Sequence, residues 1–131
     1  MGFVHMTQTL TDREADVMKV LWEHGPSGVA EVREYLEDPL ARNTVLTMLR
    51  ILEEKGFVKH KIEGRSHRYF ALVPEQVARQ HAVKHLIGKL FRGSTDLLFA
   101  HLVTSEALTA EDVARIKARI GQPRTGKGRK S

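Results

Sequence analysis

The sequence predicts a mainly α chain with one small β-hairpin, on three observations. Apolar residues recur at helical spacing in three short segments before residue 56, each bounded by capping or turn residues. Residues 57–72 then alternate in strand fashion about Glu63-Gly64-Arg65-Ser66, a plausible hairpin turn. Three further amphipathic segments follow between Pro74 and Ile120.

Thr11-Asp12-Arg13-Glu14 is a capping box, Thr at the cap and Glu three residues on. Ala15, Val17, Met18, Leu21 and Trp22 follow at helical spacing, and His24-Gly25-Pro26 stops the helix. Met18, Trp22 and Met48 read as core. Ser27 is expected to cap a second helix with Val29, Val32 and Leu36 buried, ended by Asp38-Pro39. The third helix runs from Arg42 to Lys55, with Val45, Leu49 and Leu52 turned inward and Gly56 as its stop. Strands are expected at Phe57–Ile62 and Arg68–Leu72. Three short helices and a hairpin outline a winged helix-turn-helix over residues 8–73.

Pro74 opens a fourth helix reaching Phe91, with Val77, Val83, Leu86, Ile87 and Leu90 apolar. Gly93 breaks it, and Ser94 caps a fifth helix carrying Leu97, Leu98, Leu102 and Val103. Thr109 to Asp112 repeats the capping logic, and a sixth helix carries Val113, Ile116 and Ile120. Three such helices after a complete winged domain have little core to join and stabilise poorly alone. Residues 74–120 are therefore expected to form a helical dimerisation domain. Its interface would hold Leu86, Leu90, Leu97, Leu98, Leu102, Val113 and Ile116. The competing arrangement packs these helices back on their own N-terminal domain. Residues 121–131 form a basic, Gly-rich tail expected to be disordered.

The chain has 131 residues and no cysteine, which excludes disulfides and thiolate metal sites. No apolar run approaches the ~20 residues of a membrane span, so no membrane insertion is expected. The N-terminal residues lack the pattern of a signal peptide, and Met6 is a candidate natural start. A cytoplasmic location is the simplest expectation. Net charge is +5, and its distribution matters more. Residues 1–40 carry 3 basic and 8 acidic side chains, a net −5. Residues 41–70 carry 7 basic and 3 acidic, a net +4. That segregation suits a phosphate-binding face, although a charge run alone also fits an ordinary solvated surface.

Asn43, Thr47 and Arg50 fall at i, i+4 and i+7 on one face of the third helix. Asn and Arg pair bidentately with adenine and guanine edges, and Thr touches a thymine methyl. The expected reading set is Arg42, Asn43, Thr44, Thr47 and Arg50. Lys59, Lys61, Arg65, His67 and Arg68 on the hairpin would hold the phosphate backbone. The expected partner is double-stranded operator DNA. The alternative is a winged-helix protein–protein interaction module without specific DNA binding.

His81 and His85 stand at i, i+4, a spacing that can place two imidazoles on one ion. No carboxylate or third histidine lies within the same turns, and His101 could join only through the tertiary fold. No metal site and no cofactor are expected. No motif places a nucleophile beside a base, and Gly25-Pro-Ser-Gly28 lacks the Lys-Ser/Thr of a phosphate loop. An enzyme is not expected.

The chain resembles the penicillinase repressor family, the BlaI/MecI/CopY group of winged-helix transcriptional repressors. The matching pieces are Leu10-Thr-Asp-Arg-Glu14 with Val17-Met-Lys-Val-Leu-Trp22, and Val29 to Leu36. Asn43-Thr-Val-Leu-Thr-Met-Leu49 followed by Leu52-Glu-Glu-Lys-Gly56 is the most specific piece. Gly64-Arg65 with Tyr69, Phe91-Arg-Gly-Ser94 and Leu108-Thr-Ala-Glu-Asp112 complete it, so that residues 8–120 are covered. The resemblance implies a homodimeric repressor on a palindromic operator, of a β-lactam-response or metal-handling operon. It also implies a membrane-bound sensor protease as partner, cutting an Asn–Phe bond in the fifth helix. Two departures stand out. The C-terminal Cys motif of copper-responsive members is absent. The bond corresponding to the cleaved one is Ala100–His101, which lacks the usual signal.

Overall fold

The computed structural model describes residues 9–105 and 107–121. In chain order it holds α1 (Asp12–His24), α2 (Val29–Tyr35), α3 (Arg42–Lys55), β1 (Val58–Glu63), β2 (Ser66–Ala71), α4 (Glu75–Leu90), α5 (Thr95–Thr104) and α6 (Ala110–Gly121). The mainly α architecture with one antiparallel hairpin is the one expected. Met6 and all of the basic tail beyond Gly121 lie outside the described residues.

Local chemistry sets each boundary. The Glu14 N–H donates to Thr11 Oγ1 at 3.2 Å, and Thr11 N–H donates to Glu14 Oε1 at 2.9 Å. This is the expected capping box. Glu14 also turns inward, where its carboxylate accepts from Lys55 Nζ at 2.7 Å and ties the start of α1 to the end of α3. Gly25, at φ 81, ends α1.

The start of α2 differs from expectation. Its N-cap is Gly28, not Ser27. Ser27 is buried and exchanges backbone hydrogen bonds with Tyr69 at 2.9 and 2.8 Å, while its hydroxyl donates to the Gly25 carbonyl. With Ser27 held as an edge bridge to β2, the Glu31 carboxylate takes over capping and accepts the Gly28 N–H at 2.8 Å. The helix then ends at Tyr35, so Leu36 lies past its last turn and is only partly buried.

Gly56 adopts the left-handed conformation that closes α3, and Phe57 N–H bonds back to the Leu52 carbonyl at 2.9 Å. Phe57 therefore completes the helix stop and β1 begins one residue later. The hairpin register pairs Glu63 with Ser66 and His60 with Tyr69. Only Gly64-Arg65 remain in the loop, and Gly64 has φ 61. Glycine in the first loop position is the pattern of a II′ hairpin turn.

Val17, Met18, Val32, Val45, Leu49, Leu52, Phe57, Val58, Tyr69 and Val73 form the centre of one core. Burying each such side chain contributes on the order of 1.5–3 kcal/mol. Ala78 belongs to that core and Val77 packs against it, so the first turns of α4 complete the winged unit. By packing, the chain divides between His85 and Leu86, within α4.

Beyond that point the helices obey their local signals. Ser94 caps α5 by accepting from Leu97 N–H at 3.0 Å. Thr109 and Asp112 exchange hydrogen bonds at 3.0 Å in each direction at the start of α6. Yet no described side chain from Leu86 to Ile120 is buried. Among the described residues, no helix is long and apolar enough to cross a membrane.

Candidate nucleic-acid interface

The apolar stripe of α3 fixes what the helix shows to solvent. Val45, Leu49 and Leu52 are fully buried, and this leaves Arg42, Asn43, Thr44, Thr47 and Arg50 exposed. The five expected reading residues thus form one free polar face.

The wing adds to that face through a groove of about 460 Å3. Its walls are Gly28 to Glu31 of α2, Arg42, Leu46 and Arg50 of α3, and Arg65 to Arg68 of the wing. Arg42, Arg50, Arg65 and His67 are therefore brought together in one basic channel. A predominantly basic channel attracts a polyanion, and guanidinium forks suit phosphate oxygens.

The hairpin's pleat separates the other candidates. Residues directly opposite each other share a face, so His60, Ile62, His67 and Tyr69 lie together on the face that packs toward α3. There the His60 ring stacks on His67 at 4.6 Å and its Nδ1 meets Glu53 of α3 at 2.8 Å. Lys59 and Lys61 point to the opposite face with Arg68 and Phe70. Lys61 lines a different groove, with Trp22, Pro26, Phe70 and Leu72. Lys59 and Lys61 thus lie on a different strand face from His67.

Arg68 differs from the other basic residues of the wing. Its guanidinium contacts Glu31 Oε1 at 2.9 Å, the Pro26 carbonyl at 2.5 Å and Glu63 Oε1 at 3.5 Å. Each of its three guanidinium nitrogens already faces a protein acceptor. Glu31 is the residue that reading the sequence missed. The spacing Gly28-Val29-Ala30-Glu31 carried the signal, since a Glu three residues past a cap is half of a capping box. The Gly28 N–H first, and then Arg68, hold the Glu31 carboxyl below the usual carboxylate range. Burial and the nearby Glu53 carboxylate push the Tyr69 phenol up, against a smaller opposing effect of Arg50.

Among the described residues, no three His, Asp or Glu side chains are arranged to hold a metal. The His101 ring packs edge-on against Phe91 at 5.8 Å.

A model of the penicillinase repressor family matches residues 10–122. The chain belongs to the penicillinase repressor family. Membership places it among DNA-binding repressors rather than enzymes. The methicillin resistance regulatory protein MecI of Staphylococcus aureus strain N315 is 22% identical over 113 residues, covering 85% of this chain and 92% of that protein. The penicillinase repressor of Bacillus licheniformis is 26% identical over 106 residues, covering 79% of this chain and 83% of that one. A solved structure of monomeric BlaI of Bacillus licheniformis with the blaP half-operator is 34% identical, covers 53% of this chain and 87% of that chain, and has a TM-score of 0.46.

Proposed function

We propose that this repressor acts in the cytoplasm as a homodimer on a two-fold symmetric operator. One observation carries the reading: the exposed Asn43, Thr44, Thr47 and Arg50 face of α3 adjoins the basic groove of Arg42, Arg50, Arg65 and His67. In this reading α3 enters the major groove, where its Asn, Thr and Arg side chains meet base edges. Arg42, Arg65 and His67 meet the phosphates beside it. Lys59 and Lys61, on the other strand face, add a weaker long-range attraction.

Pairing is assigned to residues 86–121, because Leu86, Leu90, Leu97 and Ile116 are exposed in the single chain. Leu98, Leu102 and Val113 are only half-buried. Half-sites would then lie about 10–10.5 bp apart or a multiple of that. The MecI and penicillinase repressor relatives favour genes of a β-lactam response as targets. Release of the operator is assigned to loss of pairing, with α5 as the segment on which a membrane-bound sensor protease would act. Intact-mass measurement before and after induction tests that step. A full-length repressor that still leaves its operator rules cleavage out and leaves a ligand of the C-terminal helices.

Salt-dependent operator titration tests the reading face. Arg50→Ala should cost about 1–3 kcal/mol and relax one position of the site. Arg65→Ala should lower the salt slope by about one unit with little change in sequence preference. Unchanged binding in both variants would overturn the assignment and favour the protein-interaction alternative.

A further inference from the structure

We propose that Arg68 and Glu31 form a strut that sets the wing against the reading groove, so that Arg68 is a positioning residue and not a phosphate contact. The inference rests on the DNA-binding reading above.

The base of the wing is well held. Tyr69 is buried and bridged to Ser27, and Val58 is in the core. The outer half is not, because every residue from Lys61 to His67 is exposed. A two-stranded ribbon of that kind is marginal in water and free to bend. Arg68 stands at the boundary between the two halves. Its three contacts belong to three different segments: Pro26 in the turn before α2, Glu31 in the first turn of α2, and Glu63 at the far end of β1. The rigid planar fork of arginine can hold several acceptors in fixed directions, which a lysine ammonium cannot do.

Glu31 completes the strut from the other side. Its Oε1 accepts the Gly28 N–H at 2.8 Å and the Arg68 guanidinium at 2.9 Å, so the wing is tied to the atom that starts α2. Among the described residues, the same carboxylate is the only acidic group lining a groove whose other charged or titratable walls are Arg42, Arg50, Arg65, His67 and Arg68. Uncompensated, it would repel the phosphates that the groove is built to attract. Arg68 neutralises it. An isolated surface ion pair is worth little, but a fork shared between three acceptors is a network.

The two roles predict opposite effects for the same substitutions. The probe is a duplex carrying the site that the full-length wild-type protein selects from random DNA. A strut predicts that Glu31→Gln weakens binding about five- to tenfold, because the amide oxygen still caps Gly28 but no longer carries the charge that holds the Arg68 guanidinium. It predicts that Arg68→Lys weakens binding nearly as much as Arg68→Ala, and that the double variant Glu31→Gln/Arg68→Ala is no worse than the weaker single one. Hydroxyl-radical footprints should lose protection at the phosphates under the wing and keep it under α3. A loss of global stability would weaken both regions alike. A phosphate-holding Arg68 predicts instead that Glu31→Gln binds as tightly as wild type or tighter, and that Arg68→Lys keeps wild-type affinity. Either result, or a uniform loss of footprint, would overturn the strut. Hydrogen exchange in the free protein gives a DNA-independent readout: amides of 63–66 should exchange faster in Arg68→Ala. If the wild type selects no site yet those amides respond, the DNA-binding reading fails and the strut stands. Unchanged exchange in Arg68→Ala overturns the strut whatever the DNA result.

Discussion

Leu49 lies on a helix closed by the Gly56 stop and Leu97 on one capped by Ser94, yet the first is completely buried and the second 46% exposed. The pair represents two regions that follow the same local rules with different outcomes. In the winged unit, α1, α2, α3 and the hairpin each turn one side onto a common interior. From Leu86 onward, α5 and α6 have equally sound caps and no buried side chain. Capping decides where a helix starts, while an interior requires other elements to cover its apolar side. The winged unit contains those elements within its own chain. In the proposed dimer the C-terminal helices need them from a second copy.

The largest expected effect breaks that need directly. Leu97→Arg should abolish dimerisation in sedimentation and weaken operator binding by about 10²–10⁴-fold, the usual gain from linking two half-sites. A variant that stays dimeric with full affinity would contradict pairing through α5. Next comes Leu49→Ala, which leaves a cavity in a closed core and should lower winged-unit stability by about 3 kcal/mol in denaturant titration. The same truncation at Leu97 should move the unfolding of a monomeric variant by less than about 1 kcal/mol, since little area is lost there.

Glu14 tests the winged interior from its polar side. Burial alone would raise its carboxyl, but the Lys55 ammonium and the hydrogen bonds with Thr11 together hold it below its ordinary 4.5. A depressed folded value means that the contribution is fully present above about 4.5 and is lost as pH falls through the lower folded value. Glu14→Gln should lower stability at neutral pH by about 2–3 kcal/mol, since it leaves the Lys55 ammonium with the Thr9 carbonyl but without its anionic partner. It should also flatten the acid limb of a stability-against-pH curve. An acid limb identical to wild type would show that other carboxylates carry it. The smallest effect is Ser94→Ala, which removes one exposed cap and should cost about 1 kcal/mol of α5 helicity, read by circular dichroism.

Helix starts were legible where the signal is local. Thr11 with Glu14, and Thr109 with Asp112, are pairs three residues apart, and both form as expected. Ser27 misled because the deciding contact is with Tyr69, 42 residues away, and no local rule weighs a cap against a strand bridge. The free face of α3 was legible from the spacing of Val45, Leu49 and Leu52. The hairpin was legible from its alternation and its turn, but the roles of its basic residues only as a sum of charge. Counting back from the two-residue loop places Lys61 opposite Arg68 and Ile62 opposite His67, which alone separates the lysines from His67. That Glu31 would hold Arg68 depends on a packing 37 residues apart in sequence.

The chain has a single tryptophan, Trp22, and its indole N–H donates to the Val73 carbonyl at 2.9 Å. Val73 is the last residue before Pro74, where β2 gives way to α4. The protein's one strong fluorophore is thus wired to the link between the wing and α4. Its emission is a native gauge of that joint, free of any attached dye. A spectrum that holds still as operator is added would mean the winged unit docks as a finished part. A shift in colour would mean that occupying the groove is felt at the point where the wing hands the chain on to α4.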